Sequence, residues 1–321
     1  MTLVRLGYVA MSVHLKHCSP SQTMTYARFR KMPDSEAAVR KLERIAVSNL
    51  ENCLRLLKHN RAHDIFFFRL SSRLIPLANH PELQNWDYMV PLSEKLSEIA
   101  SFLERFPMRV DFHPDHFVLL NSPDPDIFKM SLKTLRMHEM LLKGMNIDPV
   151  HRCVLHIGGS HGDKEKALER FIHNWAHTPR SLQRMIMLEN DDTVFTLRDT
   201  LYLCEKLAVP LVFDLHHHEA NNAGVDWREE WGRIVSTWKE SPLPLKMHIS
   251  SPKDENHFRA HNDFVDADIF LRFLHEIKGT VGQMDCMIEA KQKDEALFRL
   301  MSDLARDARV EQVNAASFYI R

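Results

Sequence analysis

A series of short motifs in this chain puts imidazoles and carboxylates at or just beyond the ends of apolar runs. They are His113 in DFHP, His156 in LHIGG, Glu189 in LEN, Asp214 and His217 in FDLHHH, and Lys246 and His248 in KMHIS. AHNDF adds His261 and Asp263, and IEAK adds Glu289. Imidazole and carboxylate together are the donor set of zinc, manganese and iron sites, and no thiolate stands among them. The set His113, His156, Glu189, Asp214, His217, His248, His261 and Glu289 is too large for one tetrahedral ion. It suits two or three divalent ions, with Glu189 free to bridge. Ions so grouped are the apparatus of phosphodiester hydrolysis, where one activates water and the others stabilise attacking and leaving oxygens.

Taken singly, a histidine or aspartate at a strand end is more often a cap or a hydrogen-bonded surface group. Taken together the balance reverses, because charges gathered at one buried rim need partners or a metal. His216 and His218 flank His217 and cannot all face the same way. His14, His59, His138, His173 and His177 read as surface residues, and the aromatic run 66–68 as packing. Asn190, Asp191 and Asp192 read as helix caps, with Asn190 also placed to orient a ligand.

The elements that must position these groups follow from periodicity. Apolar runs at 3–10, 64–70, 108–114, 153–159, 185–190, 211–217, 244–250 and 285–291 read as strands. Between them, apolar residues at three- and four-residue spacing predict helices at 35–59, 93–106, 125–145, 164–176, 196–207, 227–240, 266–278 and 293–307. Strands apolar on both faces, joined by crossover helices, imply a parallel sheet, and eight β-then-α units imply a (β/α)8 TIM barrel. A doubly wound open sheet is the alternative. No linker or repeat divides the chain, so residues 1–321 are expected to form one domain. In a barrel the motifs above converge on the C-terminal face, where active sites of this fold are built.

Composition narrows the function. With 42 basic and 43 acidic residues the net charge is −1, so no whole-surface field attracts a polyanion and any nucleic acid must be held locally. Glycine is scarce, 9 of 321, whereas histidine reaches 20, so phosphate is expected to meet metal ions rather than a glycine-rich loop. The five cysteines form no CxxC pair, which points to a reducing compartment. No signal peptide or membrane span is expected, and the cytoplasm is the expected location.

In order along nearly the whole chain, the motifs resemble the UV damage endonuclease family, itself similar to the endonuclease IV branch of the xylose-isomerase-like barrels. They are GYVA with Tyr8, RLSSRLIPLANH ending at His80, FHP, LHIGG, LENDD, FDxHHxxAN, KxHxSSP, AHxDFVD and MIEAKQKDxALxRL. The resemblance implies a DNA-repair endonuclease that nicks double-stranded DNA immediately 5′ of cyclobutane pyrimidine dimers, (6-4) photoproducts and abasic sites. Nicking leaves a 3′-hydroxyl and a 5′-phosphate. It implies two to three divalent ions, manganese first, with zinc, cobalt or magnesium as alternatives.

By position, His113 and His156 would bind one ion with Glu189 as bridge. Asp214, His248 and Glu289 would bind a second, and His217 with His261 a third. Glu189, Lys246 and Asp263 would be the catalytic groups, with Lys246 carboxylated and facing the cluster. Tyr8, His80, His116 and Phe117 would meet the lesion, His80 as a contact near the cluster. At His116 this sequence departs from the glutamine usual in the family. Arg28, Arg30, Lys31, Arg73 and Lys253 are candidate phosphate contacts, with plain solvated surface the equal alternative. A monomer with no obligate protein partner is expected. The rivals are a sugar isomerase or epimerase on the same barrel and a lesion-binding protein without catalysis. Histidine-rich ligation argues against the first, and the complete ligand set against the second.

Overall fold

Eight short parallel strands form the centre of the computed structural model, which describes residues 1–321. They are β1 (Thr2–Val9), β2 (Phe67–Arg69), β3 (Arg109–Asp111), β4 (Cys153–His156), β5 (Ile186–Glu189), β6 (Leu211–Asp214), β7 (Leu245–Ile249) and β8 (Gln283–Ile288). Their hydrogen-bonded order is β3-β2-β1-β8-β7-β6-β5-β4. The ring closes beyond β3, where Phe112 bridges Cys153. There the Phe112 N–H donates to the Arg152 carbonyl at 2.8 Å and the Val154 N–H to the Phe112 carbonyl at 2.9 Å. The fold is therefore the expected (β/α)8 barrel, since an open doubly wound sheet would leave both outer strands unpaired.

The crossover helices are Ser35–Ala62, Met89–Arg105, Pro125–Gly144, Lys164–Ala176, Leu197–Leu207, Trp227–Thr237, Ala267–Ile277 and Lys293–Leu304. Side chains of Asp34, Asp124, Asp163, Thr196, Asp226 and Asp266 accept backbone N–H groups at their starts, which sets where each helix begins. No helix is long and apolar enough to cross a membrane.

Two differences from the sequence reading matter. The chain ends in a hairpin, β9 (Val310–Asn314) and β10 (Ser317–Ile320), and β10 pairs antiparallel with β1 from Thr2 to Arg5. The short β2 reaches only Gly7 to Val9, so β10 covers backbone that β2 leaves open. The run 211–217 is strand only to Asp214; helix Leu215–Ala220 follows at once, with the Asp214 carboxylate accepting the His217 N–H at 2.8 Å. At Gly7 a Cβ would lie 2.3 Å from the Phe67 carbonyl oxygen, so only glycine lets β1 and β2 approach.

Strand alternation puts Arg109, Asp111 and His113 on one face, as it does Lys246 with His248 and Asp285 with Glu289. These are the inward positions. Low in the barrel, Asp285 accepts two hydrogen bonds from Arg5, at 2.7 and 2.8 Å, and one from Arg109 at 2.9 Å. Above it the Lys246 ammonium donates to Asp111 at 2.8 Å, both side chains being fully buried. Burial, only partly offset by Asp111, lowers the Lys246 pKa to about 8. Replacing Asp285 by alanine would strand the buried Arg109 charge. The expected loss of unfolding free energy is about 3–5 kcal/mol, read from urea denaturation. A loss below about 1 kcal/mol, the level of an exposed pair, would contradict this role.

Candidate metal centre

Glu189, the last residue of β5, is fully buried and lies at the centre of the inward rim. Its carboxylate is 2.9 Å from His113 Nε2, 2.9 Å from His248 Nδ1, 3.3 Å from His217 Nδ1 and 3.8 Å from His156 Nε2. Three groups of close donor atoms share it: His113 with His156, Asp214 with His217, and His248 with Glu289. These donors come from the ends of six different strands. The parallel barrel therefore assembles from distant sequence what no local segment could.

The residues fit divalent ions. His113 Nδ1 faces the Pro114 carbonyl at 3.2 Å while its Nε2 faces Glu189, so a neutral ring can donate to one of these acceptors only. A carbonyl that takes the Nδ1 proton leaves the Nε2 lone pair turned into the cage, the usual arrangement for a ligating imidazole. Asp214 Oδ2 and His156 Nδ1 are buried with no hydrogen-bond partner. With imidazole and carboxylate donors and no sulfur, the set suits manganese or zinc.

The electrostatics agree. Burial would raise the Glu189 carboxyl, but His248 and His156 and hydrogen bonds from His113 and His217 hold it well below the carboxylate range. Asp214 goes the other way: burial raises it, and Glu189 and Glu289 add to the rise beyond what His217 offsets. Burial lowers His248 to about 4 despite Glu189.

A family model described as UV-endonuclease UvdE matches residues 4–319. The chain is 54% identical over 303 residues to a UV DNA damage endonuclease of Halalkalibacterium halodurans, covering 94% of each chain. It is 39% identical over 304 residues to that of Bacillus pumilus, again 94% of each. The chain belongs to the UV-endonuclease UvdE family. The crystal structure of SacUVDE superposes with TM-score 0.83 at 28% identity, covering 94% of this chain and 98% of that one. Endonuclease IV from Thermus thermophilus shares the fold alone, with TM-score 0.51 and 14% identity, covering 95% of this chain and 100% of that one.

Within this UvdE-family barrel the expected ligands do not all behave alike. Seven (His113, His156, Glu189, Asp214, His217, His248, Glu289) converge on the rim. Asp214 and His217 lie close because the helical turn after Asp214 brings His217 back over its own strand end. His261 stands at the edge, partly exposed, with Nδ1 4.0 Å from Glu289. Asp263 is exposed and touches none of the cage. Lys246 lies one layer below, and a carbamate on its nitrogen would stand against the Asp111 carboxylate that now accepts its proton.

Two of the expected lesion contacts lie apart from the donor cage. Tyr8 is fully buried and points outward to the helix layer, its hydroxyl donating to Asn60 at 2.6 Å. Strand alternation explains this, since Arg5 faces the barrel interior and Tyr8, three residues on, faces away. His80 stacks on Tyr26 at 3.7 Å and caps Glu82, away from the cage. His116 and Phe117 remain at the surface just after His113, with rings 4.1 Å apart and Phe117 66% exposed. Among the candidate phosphate contacts, Arg73 is paired with Asp115 at 3.0 Å. A cavity lined by His116, Gly158, Asp192 and Thr193 opens beside His156 and His217.

The histidines set aside also redistribute. His14, His173 and His177 are exposed, but His59 is bonded to buried Asp294 at 2.9 Å and His138 is buried against Phe112. His216 bonds Ser250 Oγ and the Phe258 carbonyl, both at 2.6 Å, tying the loop that carries His261 to the end of β7. His218 bonds the Val225 carbonyl. Sequence reasoning missed Arg69, whose guanidinium reaches Glu289 at 2.5 Å and His248 at 2.8 Å from inside β2. The motif RLSSR held it, but an arginine within an apolar strand carries no signal of which face it takes.

Tyr8→Phe separates the two views of that residue. It is expected to lower stability by about 1–3 kcal/mol, because Asn60 loses its buried donor, and to leave DNA affinity unchanged. Weakened DNA binding at unchanged stability would restore Tyr8 as a lesion contact.

Proposed function

We propose that the protein is a metal-dependent endonuclease that nicks damaged double-stranded DNA immediately 5′ of UV lesions. Cyclobutane dimers, (6-4) photoproducts and abasic sites are its substrates, and a 3′-hydroxyl and a 5′-phosphate its products. The observation that carries this reading is the shared carboxylate: Glu189 belongs to all three donor groups at the rim. Family membership supplies the substrate class.

Divalent ions at such a rim, manganese first, supply Lewis acidity and lower the pKa of water at a phosphodiester. The chain's own residues do the rest. Glu189, carried on a rigid strand rather than a loop, is the residue that would hold more than one ion. The His113–Pro114 and His217–Asn190 carbonyl contacts, at 3.2 and 3.0 Å, hold those rings in orientation. His116 and Phe117, exposed on the turn after His113, suit a wedge that enters a duplex already weakened by damage. A monomer acting in the cytoplasm fits a task that needs no second subunit.

Plasmid nicking tests the proposal. Irradiated supercoiled DNA should be nicked with Mn²⁺ and spared with chelator, and unirradiated DNA spared in both. Glu189→Gln should reduce nicking by about 100-fold or more while DNA binding persists. Equal nicking of both DNAs, or full activity of the variant, would refute the assignment.

A further inference from the structure

The turn that follows β8 carries Glu289 and then Lys293 before the last crossover helix begins. It is held in place. The Lys291 N–H donates to the Asn262 carbonyl at 3.0 Å and the Gln292 N–H to the Asp263 carbonyl at 3.1 Å, which ties the turn to the loop that carries His261. Lys293 has a φ of 51°, in the left-handed region that a residue with a Cβ seldom takes. It is also the first residue of the helix Lys293–Leu304, the end at which the helix dipole opposes a cation. Backbone conformation and dipole both disfavour a lysine here, so its use must be sought where its side chain leads.

That side chain is half-buried beside the donor cage. Burial lowers its pKa, with Glu289 opposing the shift and Arg69 adding to it. None of the nearby carboxylates is left to pair with it. Glu289 is taken by Arg69 at 2.5 Å. Asp294 accepts from Ser12 Oγ and from the Val13 N–H at 2.9 Å, and meets His59 Nε2 at 2.9 Å. Glu295 meets His14 at 2.8 Å. Arg69 and Lys246 have internal partners in Glu289 and Asp111, whereas Lys293 brings an unpaired ammonium to the rim. A cation drawn out of water without a partner is completed by an anion from outside.

We propose that Lys293 is a substrate-binding residue whose ammonium meets a phosphate of the cleaved strand on the Glu289 side of the cage. The inference rests on the reading of this rim as the place where damaged DNA is cut. Lysine suits the role, because a compact point charge with three rotatable donors can meet a phosphate oxygen without a fixed fork geometry. A contact of this kind adds affinity and sets register while reading no base.

Salt-dependent binding tests it. The protein is Glu189→Gln in Mn²⁺, which is expected to hold damaged DNA without cutting it, and the probe is a labelled duplex with a single cyclobutane dimer. Adding Lys293→Met should weaken binding and reduce the slope of log Kd against log[KCl] by about one, the counterion equivalent of one phosphate contact, whereas adding Lys293→Arg should keep the slope. Neutral methylphosphonates placed singly around the nick should include one position that costs affinity when Lys293 is present and costs none after Lys293→Met. Equal slopes with and without Lys293→Met would overturn this inference alone, as would methylphosphonate losses that are the same for both proteins at every position. A lowered urea midpoint with an unchanged slope would assign Lys293 a structural role and overturn it too. If Lys293→Met does not fold, Lys293→Gln carries the same comparison. Failure of the parent protein to prefer the dimer-bearing duplex over an undamaged one would overturn the functional reading and this inference together.

Discussion

A carboxylate removed from water has to be compensated, and in this barrel Glu189 is compensated from four strand ends at once. Desolvation would favour its protonated form; the surrounding imidazoles hold it ionised. Four imidazoles within 3.8 Å of one buried carboxylate make a stable arrangement only when protons or metal ions occupy the space between them. Everything else about the rim serves this constraint. Short strands end at one level, the turn after β6 folds back at once, and carbonyls at Pro114 and Asn190 fix ring orientations.

The same alternation that aims the donors also builds the layers beneath them. Asp285 with Arg5 and Arg109, and Lys246 with Asp111, fill the lower barrel with matched charge where other barrels stack branched apolar side chains. Arg69 joins the two regions, standing at the upper edge of that network and touching the cage. The polar interior is thus continuous from Arg5 to the rim. Its upper end, rich in carboxylate, is left to be completed by cations.

Much of this was legible in the sequence because the signals were local. Apolar runs marked all eight barrel strands, and apolar spacing marked helix starts such as Lys164 and Trp227. The converging ligands were legible because each motif ended a strand, and a parallel barrel puts all such ends on one face. What the sequence hid was geometry beyond the next residue. The closeness of Asp214 and His217 was hidden because a run of LVFDLHH reads as one strand, whereas the Asp214 cap turns it into helix. The surroundings of Tyr8 were hidden because a motif gives position along a strand and only the register gives the face. The β9–β10 hairpin and the partner of Arg69 depend on contacts hundreds of residues apart in sequence, and no periodicity records them.

The central claim, that Glu189 is the shared ligand of several ions, is tested most directly by anomalous diffraction from crystals soaked in Mn²⁺. Anomalous peaks are expected on more than one side of the Glu189 carboxylate, each within bonding distance of one of its oxygens and of the histidines of one donor group. A single peak, or peaks that leave Glu189 outside the coordination sphere, would contradict it.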